Sequence, residues 1–194
     1  MEALLDQQKR KARSEARRRM QNISPEKAHI WGLGMLETLR HWPIFHSART
    51  VLCFASLAGE PDTSPILEEI LQSGKTLCLP RQTDLPGIME AMVISDLSLL
   101  IPGPHGIREP PKDSRIIPPE EIDLILAPCL AVSSDGTRLG HGGGYYDRYF
   151  AQTPAIRAVL CPTCQQMDHL PRGKYDLLFQ FLVTEEGLHP VSAL

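Results

Sequence analysis

Apolar residues recur along this chain in two rhythms, and the changes between them set the expected elements. In residues 2–21, Leu5, Ala12, Ala16 and Met20 share one face at helical spacing, while Lys9, Arg13 and Arg17 stack at four-residue intervals on another. Ser24-Pro25-Glu26 then supplies an N-cap, a proline at the first helical position and an acid in the first turn. The helix it starts carries Ala28, Trp31, Met35 and Leu39 on one stripe and is expected to end near His41, because Pro43 cannot continue it. Thr50 to Ala55 reads as a buried strand, followed by a loop holding Gly59, Glu60 and Pro61. Thr63 or Ser64 caps the next helix, Gly74 closes it, and Lys75 to Leu79 is a strand ending at Pro80-Arg81. This strand–helix–strand spacing predicts a βαβ unit with parallel strands and a right-handed crossover.

Ile88 to Ile94 alternates as a strand should, and the Pro- and Gly-rich stretch from Ile101 to Pro119 reads as a long, ordered loop. Ile122 to Ala127 is fully apolar and stopped by Pro128; Asp135-Gly136 is a turn signal. A glycine-rich segment follows, then a helix from about Gly144 to Gln152, and Ile156–Leu160 and Phe181–Val183 as the last strands. No repeat or linker divides the chain. The expected fold class is α/β: a single domain over residues 1–194, forming a three-layer α/β/α sandwich with a mostly parallel central sheet.

Composition narrows the function without naming it. A net charge of -3 gives no overall basic excess that would point to nucleic acid, although Lys9, Arg10, Lys11, Arg13, Arg17, Arg18 and Arg19 crowd one short stretch against Glu15. No apolar run suits a bilayer span, and the start shows no signal peptide, so no membrane association and a cytoplasmic location are expected. Nothing calls for an obligate oligomer, so a monomer is expected. Five cysteines, an odd number, argue against a disulfide framework. Cys161-Pro-Thr-Cys164 with His169 has the spacing of half a zinc site or a redox pair, but no second such pair accompanies it.

The chemistry concentrates in residues 138–150, Arg-Leu-Gly-His-Gly-Gly-Gly-Tyr-Tyr-Asp-Arg-Tyr-Phe. Gly140, Gly142, Gly143 and Gly144 clear side chains from a turn, so backbone N–H groups can point at an anion. The following helix adds its positive end, Arg138 and His141 add side-chain donors, and Asp147 stands where a carboxylate can hold a magnesium ion bridging phosphates. The pattern is neither a Walker loop nor the dinucleotide fingerprint. Glycine spacing alone serves a flexible surface turn equally well.

With Tyr145, Tyr146 and Asp147 included, the segment Arg138 to Asp147 resembles the signature of the 5-formyltetrahydrofolate cyclo-ligases. Lys9-Arg10-Lys11-Ala12-Arg13 is similar to that family's N-terminal nucleotide contact, and Phe54 to Glu60 to its pterin-holding loop. Pro80-Arg81, Gly106-Ile107-Arg108-Glu109-Pro110, Asp123-Leu124-Ile125 and Val183-Thr184-Glu185 match in order. The resemblance implies an ATP- and Mg2+-dependent closure of 5-formyltetrahydrofolate to 5,10-methenyltetrahydrofolate, in which the formyl oxygen attacks the γ-phosphate. It implies Lys9, Arg13, Arg138, His141 and Tyr145 as the catalytic set. ATP would lie against Lys9–Arg13 and against Arg138, Leu139, Gly140, His141, Gly142, Gly143, Gly144, Tyr145 and Tyr146. The folate would meet Ala55, Glu60 and the stretch His141 to Tyr145, and the metal Asp147 and Asp176. Lys9 and Arg13, one helical turn apart, are the favoured phosphate contacts. Arg10, Lys11, Arg17, Arg18 and Arg19 read as a solvated face, and Tyr146 reads also as a core aromatic.

Two positions and one stretch depart from the family pattern: His141 stands where many members have Arg or Lys, Gln180 where Asp is expected, and Leu160 to Gln166 departs from the usual Ala-Phe-x-x-Gln-like stretch. Other readings stay open, namely a diverged enzyme using ATP on another amide or carboxylate, a non-catalytic folate-binding paralogue, or an RNA binder. The last needs basic residues and stacking aromatics on one face, and only 6% of residues are aromatic.

Overall fold

The computed structural model describes residues 2–191; the remaining ends of the expected 1–194 domain lie outside the described residues. Three helices, α1 (Glu2–Arg19), α2 (Pro25–Arg40) and α3 (Pro43–Ser47), precede β1 (Thr50–Leu52), α4 (Ser64–Gln72), β2 (Thr76–Gln82) and β3 (Met89–Val93). Short strands β4 (Ile101–Pro102), β5 (Arg108–Glu109) and β6 (Ile116–Ile117) lead to β7 (Leu124–Ala127). The hairpin β8 (Ala131–Val132) and β9 (Arg138–Leu139) runs into α5 (Tyr145–Phe150), then β10 (Ile156–Leu160), β11 (Phe181–Val183) and β12 (Leu188–Pro190).

One eight-stranded sheet organises the molecule, in the order β12-β11-β10-β7-β1-β2-β3-β6. The five central strands are parallel; β12, β3 and β6 pair antiparallel at the two margins. Side chains alternate cleanly across it. Val51, Leu77, Leu79, Leu124, Leu126, Ala158 and Leu160 meet Met35, Leu39, Phe45, Ile66 and Ile70 of α2, α3 and α4 on one face. Leu52, Cys78, Ile125, Ala127, Val159 and Leu182 meet Tyr149 and Phe150 of α5 on the other. The expected helix–sheet–helix layering follows, with α1 laid over the β8–β9 hairpin through Ala16, Leu130, Ala131 and Leu139. No helix of the described residues is long and apolar enough to cross a membrane.

Several boundaries differ from the sequence expectation, each for a physical reason. The strand expected over Thr50–Ala55 stops at Leu52, because the Thr63 side chain takes over the backbone beyond it: Thr63 Oγ1 donates to Phe54 O at 2.7 Å and accepts from Ser56 N at 3.1 Å. Thr63 therefore occupies the N-cap position of α4 without capping it, and Asp62 Oδ1 takes the Ser64 N–H instead, at 2.9 Å. The strand expected to end at Pro80-Arg81 runs to Gln82. Cys78 O, facing β1, accepts from Cys53 N, so Pro80 two residues on faces the same side, where β1 has already ended and no donor is required.

Pro43 ends α2 as expected and also starts α3 at its first helical position. The supposed loop Ile101–Pro119 contains β4, β5 and β6, the last of which joins the sheet edge. The helix expected over Gly144–Gln152 spans only Tyr145–Phe150, since Gly144 is left-handed (φ 70). The expectation that Phe181–Val183 ends the sheet is corrected by β12.

The loop after β1 is pressed against α2. Asp62 N donates to Ala28 O at 2.9 Å, and a Cβ on Gly32 would lie 1.9 Å from Asp62 O. Gly32→Ala is therefore expected to destabilise the fold by about 2 kcal/mol through overpacking, read as a lower urea midpoint; an unchanged midpoint would show that this loop is not anchored on α2.

Candidate active site

β1 and β7 are neighbours in the sheet, yet the chain leaves β1 for β2 on one side and β7 for β10 on the other. In open α/β sheets such a switch point opens a crevice at the carboxyl ends of the strands. A cleft of about 760 Å³ lies there. Its walls come from the loop after β1 (Phe54, Ala55, Leu57, Glu60), the glycine segment, and the inner side of α1.

The glycine segment is aimed by the β8–β9 hairpin. Asp135 ties that turn together, its Oδ1 accepting from Ser133 Oγ at 2.6 Å and Thr137 N at 3.0 Å. Arg138 then holds the segment from beneath. Its guanidinium donates to Pro128 O at 3.2 Å and Asp147 Oδ2 at 3.1 Å, and it lies over the Tyr146 and Phe150 rings. With its side chain only 5% exposed, Arg138 acts here as a buttress of the loop. Gly142 and Gly144 have φ of 111 and 70, conformations that side chains resist. Among the described residues, the backbone N–H groups of His141, Gly142, Gly143 and Gly144 donate to no protein acceptor. That leaves a run of donors for an anion.

α1 brings cations to the same place. Arg13 Nε donates to Gly140 O at 3.0 Å, and Lys9 Nζ pairs with Asp176 Oδ2 at 2.5 Å. Glu60 stands across the loop: Oε2 accepts from Leu57 N at 2.8 Å, and Oε1 lies 3.3 Å from His141 Nε2. Tyr145 closes the glycine segment, its hydroxyl donating to Gln82 Oε1 at 3.0 Å. Among the described residues the buried Tyr146 hydroxyl has no partner, and burial pushes this phenol well above its ordinary range.

Lys9, Arg13, Ala55, Glu60, Arg138, the glycine segment, Tyr145, Tyr146, Asp147 and Asp176 thus share one cleft. Arg10, Lys11 and Ala12 do not border it: Arg10 and Lys11 are exposed and Ala12 packs beside the hairpin. Arg17, read as part of a solvated face, borders the cleft rim, and its place on the Lys9–Arg13 row was the available signal. Asp6, Gln82, Met89, Ile107 and Glu109 also line the cleft and were not singled out for it. Cys161 is buried and Cys164 exposed, burial pushes the Cys161 thiol up, and among the described residues no cluster of three or more His, Cys, Asp or Glu side chains could hold a metal.

A profile of the 5-formyltetrahydrofolate cyclo-ligase family matches residues 5–185. The chain belongs to that family. It is 30% identical over 173 residues to the 5-formyltetrahydrofolate cyclo-ligase of Escherichia coli K12, covering 87% of this chain and 95% of the relative. It is 31% identical over 161 residues to that of Mycolicibacterium smegmatis, covering 78% and 82%. Its fold matches the solved structure of Aquifex aeolicus 5,10-methenyltetrahydrofolate synthetase with a TM-score of 0.83 at 27% identity, over 96% of this chain and 94% of that one. The glycine segment, Glu60, Lys9 and Arg13, on which the resemblance to the cyclo-ligases was first drawn, fall within the matched residues.

Removing the Asp147 carboxylate would leave Arg138 buried without its counter-charge. Asp147→Ala is expected to destabilise the ligand-free protein by about 3 kcal/mol, measured by urea unfolding. No loss of stability would show that Arg138 does not depend on this pair.

Proposed function

We propose that the chain catalyses the ATP-dependent closure of 5-formyltetrahydrofolate to 5,10-methenyltetrahydrofolate, releasing ADP and phosphate. The observation that carries this reading is the 3.3 Å approach of His141 to Glu60. It joins a donor-lined glycine segment, suited to phosphate, to a carboxylate suited to the N–H groups of a pterin. The reaction needs that juxtaposition, because the formyl oxygen has to reach the γ-phosphate. Family membership supplies the substrate class.

In the proposed sequence the formyl oxygen attacks the γ-phosphorus and ADP leaves. The formyl carbon then carries phosphate as leaving group in place of a poor oxygen leaving group. N10 attacks that carbon, loses its proton, and phosphate departs with the former formyl oxygen. Such phosphoryl transfer rests on positioning and charge stabilisation rather than on a protein nucleophile. Lys9, Arg13 and the open N–H groups of His141 to Gly144 meet the phosphates, with His141 contributing a further donor. Glu60 accepts from the pterin amino and ring N–H groups, and Tyr145 stands at the junction of the two substrates.

Asp147 and Asp176 fit a magnesium ion of the kind held by one or two carboxylates and completed by phosphate oxygens and water. The backbone brings them close, since Leu177 N donates to Asp147 Oδ1 at 3.4 Å. Both carboxylates are paired with cations here, so in this reading Lys9 leaves Asp176 for the phosphates. The bound ion would neutralise phosphate charge. The same reading takes the enzyme as a cytoplasmic monomer, the oligomeric state being checked by light scattering.

The methenyl product absorbs in the near ultraviolet where the formyl substrate does not. Protein, 5-formyltetrahydrofolate, ATP and magnesium together are expected to give a rise in that absorbance, and its absence overturns the reaction. Lys9→Ala is expected to raise the KM for ATP, and Glu60→Ala the KM for the folate, each by roughly tenfold or more. An unchanged folate KM in Glu60→Ala overturns the pterin assignment.

A further inference from the structure

The wall of the cleft built from β2 and β5 carries two polar groups that the proposed reaction does not use. Glu109 is 2% exposed and borders the cleft. Its contacts are long: Oε2 lies 3.9 Å from Arg81 Nη1, and Oε1 accepts from Gln82 N at 3.4 Å. Charge-assisted hydrogen bonds to carboxylates are normally about 2.8 Å, and buried carboxylates normally fill their lone pairs. Arg81 instead donates to Pro110 O. The backbone nonetheless makes room for this carboxyl group, since a Cβ on Gly103 would lie 2.6 Å from Glu109 Cδ.

Gln82 is the complementary group. Its Oε1 accepts from the Tyr145 hydroxyl, and among the described residues its amide N–H groups donate to no protein acceptor. An under-filled acceptor and an unused donor therefore stand on one wall, flanked by Pro80, Met89 and Ile107. A flat heterocycle with an N–H beside a carbonyl oxygen matches this arrangement.

We propose that Glu109 and Gln82 form a second recognition site for the substrate's heterocycle, Glu109 accepting one of its N–H groups and Gln82 donating to one of its oxygens. The proposal rests on the folate reading above. In it the head group is read by two carboxylates, Glu60 on the glycine-segment side and Glu109 on the β2–β5 side.

The test combines steady-state kinetics with equilibrium binding of 5-formyltetrahydrofolate to the full chain without ATP. Glu109→Gln is expected to raise both the folate Kd and the folate KM by about tenfold or more, while the KM for ATP changes by less than about twofold. A lower melting temperature with an unchanged folate Kd would make Glu109 only a counter-charge for Arg81 and overturn the proposal. Should Glu109→Gln not fold, Gln82→Ala made in a Tyr145→Phe background decides: a further weakening of folate binding supports the site, and none overturns it. These outcomes are separable from failure of the reaction itself. An active wild type with an unaffected Glu109→Gln sinks only this inference. A wild type that binds the folate without turnover sinks the reaction, and its Kd against that of Glu109→Gln still tests the site.

Discussion

Two adjacent strands that part company shape this molecule. β1 and β7 lie side by side, and the chain leaves β1 through α4 toward β2 but leaves β7 through α5 toward β10. Both crossovers are bound to the right-handed sense, so travelling in opposite directions places α4 and α5 on opposite faces of the sheet. Neither α4 nor α5 then spans the gap above the two strand ends. The loops that emerge there, one carrying Glu60 and the other the glycine segment, must face each other across it.

Loops left over a crevice would move without restraint, and here side chains hold them. Thr63 and Asp62 fix the first loop to its helix, and Asp135 fixes the hairpin that feeds the second. The strongest restraint is also the costliest: a guanidinium taken almost wholly out of water. Its desolvation is offset by a carboxylate and two aromatic faces from the segment it supports and by the Pro128 carbonyl at the end of β7. The loop's own N–H groups stay open because Arg138 satisfies the structural demand from below. In the proposed reading, this division between buttress and open surface suits the segment to binding an anion, where glycine spacing alone left a flexible turn equally open.

How much was legible in the sequence follows from the same geometry. The central strands are covered on both faces, so they read as apolar runs, and the expected mostly parallel sheet with a parallel β1–β2 pair is observed; their order across the sheet was not legible. β6, β12 and the β8–β9 hairpin have two or three residues each, too few for any period to show. The glycine segment announced itself through residue type, because Gly142 and Gly144 sit where other residues are strained. Glu60, Lys9 and Arg13 were singled out only through resemblance, since lone acids and basic helix faces are usually solvated. Glu109 lay in a stretch matched to the family but was given no role there, and Gln82 carried no signal at all. Their place depends on the antiparallel β2–β3 register and on the return of residues 101–110 beneath it, which no local pattern encodes.

The pairing of Lys9 with Asp176 spans 167 positions in the chain. α1 thus leaves the ribosome well before its partner Asp176 is made, yet both contribute to the cleft. Between them lie β1, β7 and β10, each needed before the crevice exists. The cleft is consequently completed only once synthesis has passed Asp176, and a nascent chain short of that point, or one truncated before it, carries its loops and basic helix without the full pocket they jointly form.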